Sequence, residues 1–501
     1  MTVQPLRFGT AGLRGPVRDG VDAMNTATVL RATWAVAAVL TARGHAGATV
    51  VVGRDARHGS GEFARVTAEV FAAQGFPVLM LPEPLPTPIV AFAVRDVGAA
   101  AGVQITASHN PAGDNGYKVY FDGGVQIIAP VDAEIEAAMA AAPDVEAIPR
   151  RSVDAAGDEL VRRYLDRVTT VRRHHGGLRV ALTPLHGVGG ATAVAALGAA
   201  GFTDVHTVAS QFEPDPDFPT VTFPNPEEPG ATDALLALAA DVQADIAIAL
   251  DPDADRCAVG IPTPDGWRML TGNETGWLLG DYLLSRLPAG TAATSVVAST
   301  VVSSRMLASI AAQYGAHHVE TLTGFKWLAR ADIDIPGATL VYAYEEAIGY
   351  CVDPAAVRDK DGISAAVLAC DLVTALRDAG ETVPGALDSL ARRHGVHTGA
   401  AVTRRVADPA EAAAVLARLR AAPPNELAGF AVTATDLAPA TDALVFTGER
   451  DGVTVRVVVR PSGTEAKLKC YLEVVQTGDL DSARMAGAHL CRRLADAVQA
   501  W

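Results

Sequence analysis

Short apolar runs that end in a polar or Gly-rich turn and give way to an Ala/Leu-rich helical stretch recur along this chain. That recurrence limits the fold more than any other feature. ATVVVGRDAR (48–57), LRVALTPLHG (178–187), DIAIALDPDADR (245–256) and SVVASTVVSS (295–304) are the clearest cases. Each run is too short for a helix and rich in Val, Ile and Ala, so each reads as a buried strand of a parallel sheet. Strand, turn and helix repeated in series predict α/β domains. With 501 residues the chain is also too long for one ordinary core.

The C-terminal part breaks this pattern. DPAEAAAVLARLRAAPP reads as a helix that starts at an Asp cap and stops at prolines. ALVFTGERDGVTVRVVVR carries a hairpin signal, Asp451-Gly452, between two β-rich runs. The final helix sets Ala483, Leu490, Leu494, Val498 and Trp501 on one stripe. The predicted architecture is therefore three consecutive α/β domains with mixed or parallel sheets, 1–150, 151–268 and 269–392, and a smaller α+β domain, 393–501. Linkers are expected at 141–152, 262–270 and 391–399.

Charge and cysteine usage bear on partners. The balance of 41 basic against 57 acidic residues leaves −16, which argues against nucleic-acid binding, and no long basic run offsets it. An anionic substrate would need a local cluster of cations. The five cysteines are scattered without a CxxC pair, as expected of reduced thiols in a cytoplasmic protein. The first residues lack the apolar core of a signal peptide, and the apolar stretch 32–40 is far short of the ~20 residues a membrane span needs. No membrane partner is expected. Only five basic residues are lysines, Lys118, Lys326, Lys360, Lys467 and Lys469. Since arginine does not deprotonate in proteins, scarce lysines point to places where arginine chemistry would fail.

Several loops could carry chemistry. TASHNP (106–111) follows an apolar run, which puts Ser108, with His109 beside it, at the end of a buried strand, where α/β folds place reactive groups. Asn115-Gly116 signals a tight turn that could return Lys118 toward Ser108. No GxSxG elbow surrounds the serine, so a hydrolase triad is not expected. In DPDADR (251–256), an extended backbone would put Asp251, Asp253 and Asp255 on one face. Three converging carboxylates repel unless a cation sits among them, and all-oxygen ligands suit Mg²⁺; a solvated acidic turn is the alternative. RPSGTEAK (460–467) offers Arg460, Ser462 and Thr464 with backbone N–H groups as a phosphate cradle, or an ordinary turn. TGFK (323–326) ends another small-residue loop in a lysine. In YEEAIGY (344–350), Glu345 and Glu346 point oppositely if extended, so one of them would reach a sugar hydroxyl. HGVGGAT (186–192) mimics a dinucleotide fingerprint, but Thr192 stands where Gly or Ala is wanted, which argues against a nicotinamide site.

Taken together, FGTAGLRG (8–15), TASHNP, DPDADR, TGFK, EEAIGY and RPSGTE, in this order along nearly the whole chain, resemble the α-D-phosphohexomutase superfamily of phosphoglucomutases and phosphomannomutases. The EEAIGY loop resembles the branch that holds phosphoglucomutases and phosphopentomutases. The resemblance implies four domains around a central cleft, each giving one loop. It implies a phosphoserine at Ser108 and one Mg²⁺ held by that phosphate and by Asp251, Asp253 and Asp255. Arg14 and Arg256 would neutralise the phosphoryl group; Lys118, the preferred base, and His109 would move protons. Glu346, aided by Glu345, would hold ring hydroxyls. Arg460, Ser462, Gly463 and Thr464 would clamp the second phosphate, and Lys326 would line the cleft. The implied reaction interconverts hexose 1-phosphate and hexose 6-phosphate, most readily of glucose, with a sugar 1,6-bisphosphate as activator, in a monomer or weak homo-oligomer. Phosphomannomutase, phosphopentomutase and sugar-1,6-bisphosphate synthase are the alternatives within the class, and a non-catalytic phosphosugar-binding protein the alternative outside it.

Overall fold

A computed structural model describes residues 5–9, 12–121, 123–461 and 467–501, and all counts below refer to these residues. They form four main sheets and one two-stranded ribbon. In the first sheet Val50–Arg54 runs parallel to Ala101–Ile105 and Val78–Met80, while Asp114–Phe121 returns antiparallel and carries Leu13–Pro16 on its outer side. Val50 and Val52 face helices Thr26–Ala42 and Ser60–Ala73. Val51 faces helix Thr87–Asp96 on the other side. A strand buried on both faces must be apolar throughout, which is why the sequence shows a run rather than an alternation.

The second sheet centres on Ile246–Leu250, parallel to Arg179–Thr183 and antiparallel to Cys257–Thr263. The third pairs Ser295–Thr300 in parallel with His317–Thr321 and Thr339–Glu345, and the latter takes Gly349–Cys351 antiparallel at the edge. The fourth is antiparallel throughout, from Val396–Arg405 through Lys467–Gln476, Val453–Pro461 and Leu444–Arg450 to Thr433–Asp436. Helices Pro409–Ala421, capped by Asp408, and Leu480–Gln499 pack on it, and the Trp501 ring lies tilted against Phe446.

Three local expectations are corrected. Residues 262–270 are not a linker: Cys257–Thr263 and Gly266–Met269 form a hairpin inside the second sheet. The 391–399 stretch is no open linker either, because helix Val383–His394 passes through Gly395 alone, at φ 91°, into Val396–Arg405. Asn115-Gly116 makes no turn; both lie within Asp114–Phe121, where Gly116 fits between the carbonyls of Thr106 and Leu13. The chain reverses earlier, across 109–113.

One apolar core runs continuously through the first three sheets, threaded by helix Gly362–Asp378, which is buried along most of its length. The C-terminal sheet has its own core and meets the rest through a small patch of Val301, Val302, Val445 and Val458. All five cysteines are buried and unpaired in disulfides. No helix is long and apolar enough to cross a membrane. Strands Ala101–Ile105, Ile246–Leu250 and Thr339–Glu345 all end toward one crevice, so their following loops converge.

Candidate active site

The first of these loops presents Ser108. Its backbone sits at φ 53°, a left-handed conformation uncommon for a residue with a Cβ and concentrated at functional sites. Ser108 N donates to Thr106 Oγ1 (2.9 Å) and Asn110 N to Ala107 O (3.1 Å), which fixes the turn. The side chain is buried; Oγ donates to Asp251 Oδ2 at 2.9 Å and lies 3.2 Å from His109 Nδ1. Arg14, on the edge strand, donates to Asn110 Oδ1 (3.2 Å). The antiparallel return of Asp114–Phe121 sets Lys118 opposite Gln104 and so brings it to the same crevice.

The second loop departs from the expected extended shape. Residues 251–256 form a turn, with Ala254 at φ 52°, yet ligand oxygens of Asp251, Asp253 and Asp255 lie within 4.8 Å of one another, all buried. The turn is tied to its neighbours from three sides. Thr87 N donates to Asp253 O (2.9 Å), Cys257 N to Ile348 O (3.0 Å), and Gly362 N to Ala254 O (3.1 Å). The glycine-rich segment 186–192 supports it from below: Val188 N donates to Pro252 O (2.9 Å), and a Cβ on Gly187 would stand 2.3 Å from Pro252 Cα. The glycines of this apparent dinucleotide motif therefore accommodate the aspartate loop.

The charges balance unevenly. Lys118 Nζ donates to Asp253 Oδ2 and to Asp255 Oδ2, both at 2.7 Å, and Lys360 Nζ lies 3.3 Å from Asp255 Oδ2. Burial opposes ionisation of Asp253, but Lys118 and the Thr87 hydroxyl (2.5 Å) outweigh it and hold the carboxyl below its usual range. Burial likewise opposes the charge on Lys118, and the two aspartates outweigh it, so its pKa is raised. Asp251 is left over: burial, then Asp253 and Asp255, push its carboxyl well above the ordinary value. Burial, reinforced by Arg256 and Arg14, drives His109 well below its ordinary value, so the imidazole is neutral. Asp253 Oδ1 and Asp255 Oδ1 are buried without a hydrogen-bond partner. Unpartnered buried carboxylate oxygens converging on one point are what a hard divalent cation requires, and the donor set fits Mg²⁺.

On the other side of Arg256 lies a cavity of about 870 Å³, lined by Glu227, Asn273, Ser303, Glu346, Lys469 and Tyr471 among others. Arg256 N donates to Asp251 Oδ1 (3.0 Å), and its guanidinium stands 3.9 Å from Asp255 and 3.8 Å from Glu227, so it links the aspartates to the cavity. Glu346 lines the cavity, its Oε2 accepting from Thr300 Oγ1 (3.1 Å) and Ser303 Oγ (2.9 Å). Glu345 points the other way and is buried, in the field of Lys360 and Arg256. Lys326 does not line this cavity: it lies half-buried on helix Phe325–Leu328, which packs against strand Val125–Gln126 of the first sheet. Arg460 lies next to the end of its strand, opposite Lys469. Ser462, Gly463 and Thr464 lie outside the described residues.

Three residues of this centre were not anticipated as site residues: Thr87, Lys360 and Arg57, whose Nη2 donates to Ser108 O at 2.6 Å. Lys360 was at least visible as one of five lysines. Thr87 and Arg57 carry no local signal, since each acts on a group 51 or more residues away.

Comparison with known proteins accords with this geometry. Residues 5–146, 162–264 and 271–392 match the phosphoglucomutase/phosphomannomutase alpha/beta/alpha domains I, II and III, and residues 402–486 the C-terminal domain. A Haemophilus influenzae protein named "Probable phosphomannomutase" is 40% identical over 451 residues, 87% of this chain and 90% of that protein. A human phosphopentomutase is 37% identical over 432 residues, 78% of this chain and 69% of that one. The crystal structure of a phosphoglucomutase/phosphomannomutase family protein from Burkholderia thailandensis superposes with a TM-score of 0.73 at 21% identity, covering 98% of this chain and 97% of that one.

Proposed function

Because this chain belongs to the phosphoglucomutase/phosphomannomutase family, and so is a phosphohexomutase-type sugar-phosphate mutase, we propose that it interconverts hexose 1-phosphate and hexose 6-phosphate, with glucose the preferred sugar, through a phosphoserine at Ser108. The observation that carries this reading is the Ser108 hydroxyl held 2.9 Å from Asp251 inside the buried aspartate trio. Such a centre suits phosphoryl transfer, which depends on positioning and charge neutralisation more than on covalent chemistry.

Bound by Asp251, Asp253 and Asp255, Mg²⁺ would neutralise phosphoryl oxygens on Ser108 and offset the carboxylates that otherwise pair with Lys118. The sugar enters the cavity, where Glu346 accepts hydrogen bonds from ring hydroxyls and Arg256, with Arg14, steadies the phosphoryl oxygens. Arg460, with Ser462, Gly463 and Thr464, clamps the phosphate that is not being transferred. With the aspartates engaged by the cation, Lys118 can release its proton and act as a base. The free sugar hydroxyl attacks phosphorus in line, Lys118 takes the hydroxyl proton, the phosphorus–Oγ bond breaks, and Oγ takes up a proton from water. The bisphosphorylated sugar then turns end for end. Ser108 Oγ attacks the second phosphate, its proton passing to the neutral imidazole of His109, 3.2 Å from Oγ, and then to water; the bond from phosphorus to the sugar oxygen breaks, and that oxygen takes the proton held by Lys118. A sugar 1,6-bisphosphate primes an unphosphorylated enzyme by the same step.

The human relative named phosphopentomutase supports a second reading, a pentose phosphate substrate. Values of kcat/KM measured side by side on glucose, mannose, glucosamine and ribose 1-phosphates separate the two. Glucose 1-phosphate is expected to rank first; ribose 1-phosphate in that place would replace the hexose by a pentose.

A further inference from the structure

We propose that Arg57 is a positioning residue for Ser108, and that Phe218 of the second domain completes its hold; the inference rests on the assignment of Ser108 as the nucleophile. Arg57 follows strand Val50–Arg54 and is buried, at 4% exposure. All its terminal N–H groups are spent on the serine loop. Nη2 donates to Ser108 O (2.6 Å) and Asn110 O (2.5 Å), and Nη1 to Pro111 O (2.8 Å) and Asp114 O (3.1 Å). These carbonyls span the loop from the nucleophile to the first residue of the strand that bears Lys118. One rigid planar group therefore sets Ser108 and the start of that strand in a fixed relation.

The guanidinium is itself held. Nε faces Asp55 Oδ2 at 3.4 Å, and Asp55 Oδ1 accepts from Arg57 N (3.0 Å) and Ser60 Oγ (2.6 Å). The Phe218 ring, from the domain that supplies the aspartate trio, lies over the guanidinium, 5.0 Å from Cζ. Next to it His58 Nε2 meets Asp217 Oδ1 at 2.7 Å. Besides the direct contacts of Ser108 and Lys118 with the aspartates, two further routes bring nucleophile and aspartates into register, the Thr87–Asp253 contact and the Arg57–Phe218 contact. A lysine in place of Arg57 keeps the charge, but its ammonium offers three donors from a single point and cannot serve four carbonyls spread along a loop.

Arg57→Lys and Phe218→Leu, with Phe218→Trp as the conservative variant, test the proposal through kcat, KM, thermal transition and the fraction of Ser108 phosphorylated after incubation with glucose 1,6-bisphosphate and Mg²⁺. A displaced nucleophile predicts a kcat about a hundredfold lower for Arg57→Lys at nearly unchanged KM, because transfer is sensitive to shifts of an ångström. Phe218→Leu is expected to lower kcat about tenfold and Phe218→Trp to restore it, since indole is the better partner for a cation. Wild-type kcat in Arg57→Lys, or a loss confined to KM, would overturn the proposal. If Arg57→Lys does not fold, Phe218→Leu decides: unchanged kcat, or a loss that Phe218→Trp does not recover, overturns it. A wild-type protein that never gains phosphate at Ser108 would instead remove the assignment of the nucleophile itself.

Discussion

The Ser108 centre and the C-terminal domain are joined to the rest of the molecule in contrasting ways. Around Ser108, loops from three domains interlock through buried contacts: Ser108 to Asp251, Thr87 to Asp253, Lys118 to two aspartates, Ala254 to Gly362. The same domains share one apolar core. The C-terminal domain has a separate core and attaches through a small patch of four valines with Leu437 and Tyr471, the Trp277–His397 ring contact and polar contacts. Its Glu473 accepts from Arg305 N (3.0 Å) and the Ser304 hydroxyl, while Arg456 donates to Glu320 (3.1 Å). Phosphoryl transfer requires a fixed nucleophile. In the proposed reaction the bisphosphorylated intermediate must turn, which requires a clamp able to release and regrip, and a lightly joined domain suits that task.

The contrast is broken most severely at the aspartates. Asp253→Ala removes one of the three proposed cation ligands and one of the two carboxylates that pair with Lys118. Turnover should fall on the order of a thousandfold or more, measured by mutase assay across a Mg²⁺ titration; full activity in the presence of chelator would refute the cation site. Glu346→Gln keeps the shape but weakens charge-assisted bonds to the sugar, each worth about 1.5–3 kcal/mol. Its kcat/KM should drop about tenfold to a hundredfold, and Glu345→Gln, whose parent side chain faces away from the cavity, should cost less.

Gly187→Ala sharpens the comparison from beneath the aspartate loop. The added methyl collides with the Pro252 backbone, so the loop must shift. The Mg²⁺ concentration for half-maximal activity should rise about tenfold, read from the same titration, and an unchanged value would make the glycine segment incidental. The smallest effect is expected at the light joint. Glu473→Gln should destabilise the C-terminal domain by about 1–2 kcal/mol, seen as an earlier thermal transition, while kcat stays within about threefold.

Much of this was legible in the chain because the buried strands and the loops at their ends are local features. Ser108 and Asp251 each follow a strand readable from a run rich in Ala, Val and Ile, whereas the strand before Glu346, TLVYAYE, carries no such run. The turn at 251–256 was not legible, because its left-handed Ala254 is held by contacts with Thr87 and Gly362 rather than set by its own composition. Arg57 was hidden for a related reason: a strand-end arginine is ordinary until the fold brings a loop 51 residues later onto it. Asn115-Gly116 misled because its turn chemistry yields to two strands pairing on either side.

The most direct test is peptide mass spectrometry of the wild-type protein and Ser108→Ala after incubation with glucose 1,6-bisphosphate, with Mg²⁺ and with chelator. One phosphoryl group on Ser108 of the wild type, dependent on Mg²⁺ and absent from the variant, is the predicted result. Phosphate on another residue, or mutase turnover undiminished in Ser108→Ala, would contradict it.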